Sequence, residues 1–491
     1  MAAIAGSSGA RRPPAPALWL PVLAAGLAVG LVPPLVGAAL VAGSVLLLIG
    51  VVHPRLPLYL LGLAAPLASV RELSVGGIGV SPTELLVGLA LVSFGLALLS
   101  RRERESHFSG WEAPAALFVG VVLLSTTWAT SPSAAAKELL RWVELGSAFG
   151  LVVALLRTER QIRTLITVLL LGGLAEGLLG FVQFGLQIGP PSFQIGRFLR
   201  AYGTFGQPNP YGGYLGMVLP LALAVAWTYL FDWIRTAPWR DRLQMTATSL
   251  RPLAWPLFAG LAFLVTAGGL GASLSRGAWL GTVVGLGALM MAAGRRTMVA
   301  VLVGLFVATL VALLGAFDVL PAAAAERIGQ IGEYFGVFDV RTVVLSSDNW
   351  AIVERMAHWQ TAWEMWLDHP WFGIGAGQYP ILYEDYQMPG WPDPLGHAHN
   401  IYLNVAAEMG AVGLAAYLLM VGSWIALALR TLRLPGKLPR AIGLGVLGAV
   451  VMAATHNLFD NLYVAGMNVH VGLLVGLCAA ARLPAGDSDA V

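Results

Sequence analysis

Residues 253–317 read LAWPLFAGLAFLVTAGGLGASLSRGAWLGTVVGLGALMMAAGRRTMVAVLVGLFVATLVALLGAF, and this stretch decides the fold. Three apolar runs, over about 253–272, 276–293 and 298–317, are separated only by short segments that contain Arg276 and the pair Arg295 and Arg296. A helix that crosses a bilayer needs about 20 mostly apolar residues. Each run therefore predicts one membrane-spanning helix, with tight turns at alternate faces of the membrane.

The same pattern extends along the chain. Of its 491 residues, 57% are hydrophobic and 11% are charged, whereas about a quarter of the residues in a soluble domain are charged. We predict an all-α, polytopic integral membrane protein with about 12–14 transmembrane helices. Beyond the three quoted, the predicted spans are 16–33, 35–52, 56–70, 84–100, 112–130, 134–156, 162–187, 211–231, 400–429, 441–459 and 464–482. An uncleaved first span is favoured over a signal peptide, because no clear small-x-small cleavage site follows it.

The arginines indicate an orientation. Cytoplasmic loops of membrane proteins collect Lys and Arg, and most of the 29 basic residues fall in alternate loops when the N-terminus is cytoplasmic. Scattered arginines without a basic run do not indicate a nucleic-acid partner. The single cysteine, Cys478, excludes an internal disulfide. We expect a multi-pass protein of a bacterial inner membrane, with both termini cytoplasmic and two notable exterior segments, about 188–210 and 318–399.

Four regions follow from this topology. Residues 1–190 form N-terminal spans, 191–317 are spans with arginine motifs, 318–399 form a large exterior loop, and 400–491 are C-terminal spans with a short tail. Apolar and aromatic residues recur at helical spacing over residues 350–368 of the loop, which predicts an amphipathic helix. A loop of this length in a compact membrane protein is typical of a functional element.

The first candidate cluster is Arg200-Ala-Tyr-Gly-Thr-Phe-Gly-Gln-Pro-Asn-Pro, at the exterior start of a span. Its glycines and prolines predict a shaped loop that presents Arg200 and Asn209 near the membrane surface. An interfacial arginine that reaches toward lipid headgroups explains the pattern equally well.

The second cluster is Ser273-Leu-Ser-Arg-Gly-Ala, where Arg276 lies between two apolar runs with Ser275 beside it. An arginine at membrane depth costs about 2.5–3.5 kcal/mol on insertion scales unless it has a partner. A lipid pyrophosphate would suit the guanidinium group, which binds phosphate oxygens in bidentate fashion. The alternatives are a lipid headgroup or a distant carboxylate such as Glu408 or Asp460.

The third cluster is Gly396-His-Ala-His-Asn-Ile-Tyr-Leu-Asn, where the large loop enters a span. His397 and His399 are candidate general bases, because histidine transfers protons near neutral pH, and Asn400 is a supporting candidate. We do not predict a metal, because no nearby Cys, third His or carboxylate pattern completes a site. The chain also lacks a P-loop and a Rossmann glycine pattern, so no nucleotide or other cofactor is expected.

These residues give the sequence a resemblance to the O-antigen ligase and O-antigen polymerase family. The resemblance covers about residues 195–480. It rests on Arg200-x-x-Gly-Thr-Phe-Gly-x-Pro-Asn-Pro, Ser275-Arg276-Gly277, His369-Pro-Trp-Phe-Gly-Ile-Gly-x-Gly, His399-Asn-x-Tyr-Leu and Glu408-x-Gly410-x-x-Gly413. The order of these motifs, with a long exterior loop before the last ones, makes the combination more specific than any one of them.

The resemblance implies a metal-independent, inverting glycosyltransferase that uses an undecaprenyl-pyrophosphate-linked glycan as donor. It implies that Arg200 and Arg276 hold the diphosphate and that His399 activates the acceptor hydroxyl. Arg355, in the loop helix, is a third basic candidate by position. A lipid or glycan acceptor, such as lipid A–core, and membrane lipids are the expected partners. Ligase, polymerase and protein-glycosylating activities stay open, as does a transporter or flippase that binds an anionic substrate.

Overall fold

The computed structural model describes residues 34–64, 66, 73–75, 78–100, 109–238, 251–313, 338–346 and 349–483. Fifteen α-helices run through these residues: α1 (Pro34–Val52), α2 (Arg55–Ala64), α3 (Pro82–Leu99), α4 (Ala113–Ser125), α5 (Pro132–Leu155), α6 (Glu159–Gly185), α7 (Pro208–Thr236), α8 (Ala254–Ala272), α9 (Arg276–Ala293), α10 (Arg295–Leu313), α11 (Trp350–Asp368), α12 (Tyr383–Tyr386), α13 (Ile401–Thr431), α14 (Lys437–His456) and α15 (Met467–Ala480). The strands form two short antiparallel hairpins: β1 (Leu73–Val75) with β2 (Ile78–Val80), and β3 (Gln194–Ile195) with β4 (Phe198–Leu199).

The predicted all-α, polytopic fold class is confirmed. Within the described residues, seven helices are long and apolar enough to cross a membrane: α3, α6, α7, α8 with the turn before it, α9, α13 and α14. Each predicted span from 35–52 onward corresponds to a helix, whereas 16–33 lies outside the described residues. The total of 12–14 crossings, which the seven helices do not settle, stays a prediction.

Local sequence signals begin several of these helices. Ser81 and Thr158 each form a capping box, in which the side chain accepts from the third helical N–H and that residue's side chain binds back to the cap. Proline stands at the start of α3, α5 and α7, where its missing N–H costs no helical hydrogen bond. The apolar runs therefore begin as helices at defined residues.

Helices α7 and α14 form the centre of the bundle, since 72% of the apolar window of each is buried. Helix α9 packs closely on α14 through glycines spaced four residues apart. A Cβ atom on Gly281 would lie 2.8 Å from the Met452 carbonyl oxygen, and one on Gly285 would collide with the Gly448 carbonyl. Small residues at this spacing let helix backbones approach. This contact brings the N-terminus of α9 beside the C-terminus of α14.

The loop helix α11 is confirmed over the predicted residues 350–368. Its inner face, with Ile352, Met356 and Met365, is buried, and α11 packs against α13. Trp363, which the helical spacing also places among the apolar positions, is 46% exposed. Helix α11 therefore packs on the bundle through one face only. Residues 318–337, 347 and 348 of the predicted loop lie outside the described residues.

Candidate active site

Three arginines from distant parts of the chain line one cavity of about 110 Å³. Arg200 precedes α7, Arg276 begins α9, and Arg355 lies near the start of α11. The predicted supporting residues Asn209 and Ser275 also line this cavity, together with His456, Phe459 and Asp460 from the C-terminal end of α14 and the turn after it. The structure thus brings together the sequence-predicted arginines, and it adds residues that were not predicted as site residues.

Arg200 is held by neutral acceptors. Its Nε donates to the Ser273 carbonyl at 2.8 Å, and one terminal nitrogen donates to Asn209 Oδ1 at 2.7 Å. Asn209 Oδ1 also accepts from the Ser275 hydroxyl at 3.0 Å. Asn209 therefore ties the loop before α7 to the start of α9. Both of these acceptors are uncharged, and they orient the Arg200 guanidinium group.

The cavity also lies at three helix beginnings. Asn209 is in the first turn of α7, Ser275 is the N-cap of α9, and Ala351 in the first turn of α11 contributes to the lining. Helix N-termini carry partial positive charge and exposed N–H groups that favour anions. With three guanidinium groups and one lining carboxylate, Asp460, the cavity is built to attract an anion.

His399 lies behind Asp460 rather than in the lining. His399 Nδ1 is 3.3 Å from Asp460 Oδ1, and His397 Nε2 is 3.9 Å from the same oxygen. The backbone N–H of His399 donates to His397 Nδ1 at 3.1 Å, and the Trp359 indole of α11 donates to the His399 carbonyl at 3.2 Å. These contacts hold His399 at a φ of 50°, a region that residues other than glycine rarely adopt. His399 Nε2 is buried and makes no hydrogen bond to any residue that the structure describes.

Burial shifts the proton affinities around this pair. Burial, together with the neighbouring His399, lowers the pKa of His397 to about 3. For Asp460, burial raises the pKa, but the hydrogen bond from His399 and the nearby imidazoles outweigh it, so the net shift is well below the usual range. Asp460 therefore stays ionised at neutral pH, and His397 stays uncharged.

Two motifs that carried the resemblance bind each other. Helix α13 is kinked at Gly410, which has a φ of 64°, and the carbonyls of Ala407 and Glu408 accept from Ile374 and Gly375. The Glu408 carboxylate accepts from the backbone N–H groups of Gly377 and Tyr379, at 2.8 and 3.1 Å. The loop segment 370–379 thus docks into the broken turn of α13. This interlock fixes the loop that carries α11 and Arg355.

Asn400 has a different place from the one predicted. Its side chain accepts from the N–H groups of Tyr402 and Leu403, so it is the N-cap of α13. It does not line the described cavity. The substrate contact predicted for Asn400 stays a prediction, as do those predicted for the arginines. The contact that the structure shows is the helix cap.

Two residues of the cavity lining, Asp460 and His456, were not predicted from the sequence as site residues. From the sequence, Asp460 is named only as a distant carboxylate for Arg276, and His456 is not among the candidate site residues. A signal does exist, because His456, Asn457, Asp460 and Asn461 form a polar cluster between two apolar runs. Asp460 also adds a third candidate metal ligand that the neighbouring sequence does not offer: its carboxylate, His397 and His399 have ligand atoms within 4.8 Å of one another. Metal independence stays a prediction.

Fold and cavity together define a multi-pass membrane protein with an anion-attracting site at one end of its helix bundle. A family model described as O-Antigen ligase matches residues 261–418. Over these residues the chain is similar to the O-antigen ligase family, and the match supports the resemblance to the O-antigen ligase and polymerase family seen in the motifs. The matched range includes Arg276, Arg355, His397 and His399, whereas Arg200 and Asp460 lie outside the matched range. No curated protein matches the chain.

Proposed function

We propose that the protein transfers a glycan from an undecaprenyl-pyrophosphate donor to an acceptor hydroxyl, lipid A–core or a similar acceptor, as an O-antigen ligase does. Arg200, Arg276 and Arg355 hold the diphosphate. His399 is the general base, with Asp460 as its positioning residue. The acceptor oxygen attacks the anomeric carbon, the bond from that carbon to the diphosphate oxygen breaks, and the acceptor proton passes to His399. The configuration at the anomeric carbon inverts.

One observation carries this proposal: the three arginines meet in a single cavity whose lining includes Asp460, the partner of His399. Along the chain, α7 and α8 separate Arg200 from Arg276, and α9 and α10 separate Arg276 from Arg355. Scattered interfacial arginines have no reason to converge in this way. A diphosphate leaving group needs its developing charge stabilised, and preoriented guanidinium groups do this.

The choice of His399 over His397 rests on their contacts. When Nδ1 of His399 donates to Asp460, Nε2 keeps its lone pair and can accept a proton. His397 is a weak base at neutral pH, because burial lowers its pKa to about 3. Nε2 of His399 is enclosed without substrate, and catalytic contacts often form only in the complex.

We place the cavity at the exterior face of a bacterial inner membrane, with both termini in the cytoplasm. The distribution of arginines along the chain supports this orientation. The cavity lies at the beginnings of α7 and α9 and at the end of α14, whereas a transporter site is expected near the middle of the membrane. This position favours transfer over transport. A polymerase that extends the donor glycan itself would use the same residues, and it is the second candidate.

The test is transfer by the purified full-length protein in detergent. An undecaprenyl-pyrophosphate oligosaccharide is supplied with lipid A–core or with a second donor molecule, with and without EDTA. We expect transfer to lipid A–core that persists in EDTA. Elongation of the donor alone would replace ligase by polymerase, and loss of activity in EDTA would overturn the metal-free mechanism. Donor binding without transfer to either acceptor would favour a transporter.

A further inference from the structure

A second concave, positively charged surface lies at the opposite ends of the helices that build the cavity. We call it the basic groove. It has a volume of about 600 Å³ and is formed by the last turns of α7, the turn between α9 and α10, and the first turn of α14. Its charged residues are Arg235, Arg295, Arg296, Lys437, Arg440 and Asp232. None of them belongs to the proposed transfer site.

The charges in the basic groove do not cancel. Five cationic side chains face one carboxylate, so the lining carries a formal excess of four positive charges. The carboxylate, Asp232, is 2.8 Å from Lys437 Nζ. Arg440 donates to the carbonyl of Ala293 at the end of α9, and Arg235 lies over the Phe231 ring at 5.3 Å. These contacts orient two of the arginines but do not neutralise them.

An exposed apolar surface adjoins the charges. Trp227 and Phe231 lie in the groove with their rings stacked at 5.7 Å, and they are 46% and 47% exposed. Val299 on the first turns of α10 is 48% exposed on the neighbouring helix. A ligand that fits this surface needs an anionic end and an apolar end. Free phosphate or pyrophosphate has only the first.

The position of the groove along the helices fits a membrane surface. Helix α14 has 20 residues, so at 1.5 Å per residue the groove is about 30 Å from the end that carries His456. The hydrocarbon core of a bilayer is also about 30 Å thick. The cavity and the basic groove are therefore placed at the two opposite surfaces of one bilayer.

We propose that the basic groove is a binding site for a phospholipid with two phosphates, of the cardiolipin class. Four surplus charges match two phosphates with a pair of cationic groups for each, and arginine binds phosphate oxygens in bidentate fashion. Basic pockets between transmembrane helices on the cytoplasmic side suit such headgroups. The acyl chains lie along Trp227, Phe231 and the face of α10. The positive-inside tendency explains basic residues at this surface, but it does not explain their convergence in a groove with stacked aromatic rings.

The test is retention of lipid by the full-length protein, measured by native mass spectrometry in mild detergent after addition of cardiolipin, phosphatidylcholine or pyrophosphate. The test variant is Arg295→Gln/Arg296→Gln. The matched control is Arg160→Gln/Arg433→Gln, which removes two exposed charges outside the groove, one in the first turn of α6 and one in the turn after α13. Arg295→Lys/Arg296→Lys keeps the charge at the groove, and thermal unfolding shows that each variant is folded.

We expect cardiolipin to bind the wild type and the control alike, and about 30-fold more weakly to the groove variant, since each basic residue near an anionic surface contributes about fivefold. The lysine variant should lie between them. Equal binding by the groove variant and the wild type would overturn the proposal. An equal loss in the control would also overturn it, because the effect would then be one of total charge. Displacement of the lipid by equimolar pyrophosphate would assign the groove to soluble anions instead.

Discussion

The cavity and the basic groove are two anion-attracting regions at opposite ends of α7, α9 and α14, and they differ in how their arginines are held. In the cavity, Arg200 is fixed by Ser273 and Asn209. The Asp460 carboxylate in the cavity lining is buried and lies close to His397 and His399. In the groove, Arg295, Arg296 and Arg440 are exposed. Positive charge is common to both. We propose that fixed arginine geometry beside a proton acceptor distinguishes the transfer site from the site that binds lipid.

The largest expected effect tests the proton acceptor. His399→Ala should lower transfer by about 10²–10⁴-fold, because it removes the general base. Binding of the lipid-linked donor should be unchanged, since the arginines remain. The measurement is a single-turnover transfer assay beside a donor-binding assay, and His369→Ala in the exposed part of the loop is the matched control. Full activity of His399→Ala would remove His399 from the mechanism.

The next effect tests whether the cavity needs the fixed geometry of the Arg276 guanidinium group or only its positive charge. Arg276→Ala should reduce transfer about 100-fold, the effect of losing one preoriented group that stabilises transition-state charge. Arg276→Lys should recover only part of it, because lysine lacks the planar fork. In the basic groove, the exchange of arginine for lysine in Arg295→Lys/Arg296→Lys should retain most of the bound lipid. If Arg276→Lys had wild-type activity, the distinction between the two regions would fail.

Asp460 should contribute through His399. Asp460→Asn keeps the shape but removes the charge that orients the imidazole, and a loss of about tenfold to a hundredfold is expected by analogy with other orienting partners. Asp460→Glu should rescue part of the activity, which a merely structural role would not predict. Transfer rates and donor affinity are measured for both variants. An equal loss in the two, together with lower thermal stability, would make Asp460 a packing residue.

A smaller effect tests the helix contact that links the two regions. Gly285→Ala should destabilise the protein by about 1–3 kcal/mol, because its Cβ collides with the Gly448 carbonyl of α14. Gly287→Ala on the same helix is the control, since a Cβ there meets nothing within 4 Å. Thermal unfolding followed by tryptophan fluorescence gives both values. Equal melting temperatures would show that α9 and α14 do not pack so closely.

The last effect is a dependence of stability on pH. Folding lowers the pKa of His397 to about 3, whereas an unfolded histidine has a pKa of about 6.5. Between these values the unfolded chain binds a proton that the folded protein does not, so stability falls as the pH falls from about 6.5 towards 3. His397→Gln should show a shallower fall than the wild type. Parallel melting curves over this range would contradict the assignment.

The helices and the arginine motifs could be predicted from the sequence for a simple reason. A membrane span is a local property of about 20 residues. Arg276 stands out because it lies between two apolar runs with no acidic residue beside it in the sequence. The helix over 350–368 could likewise be predicted from the helical spacing of its apolar residues. The contact between loop segment 370–379 and α13 could not be predicted in this way. Gly373 and Gly410 could be recognised as parts of motifs, but nothing in either motif indicates that one docks on the other.

By itself, the sequence determined the all-helical membrane fold, the residues that could bind a diphosphate and the histidine pair. Only the tertiary structure decided which of these residues meet. Arg200 binds Ser273, which is 73 positions away, and His399 binds Asp460, which is 61 positions away. Such contacts depend on how closely α9 packs on α14 and on how the loop docks on α13. The same packing creates the basic groove, because charges that are spread along the sequence converge only when the ends of three helices meet.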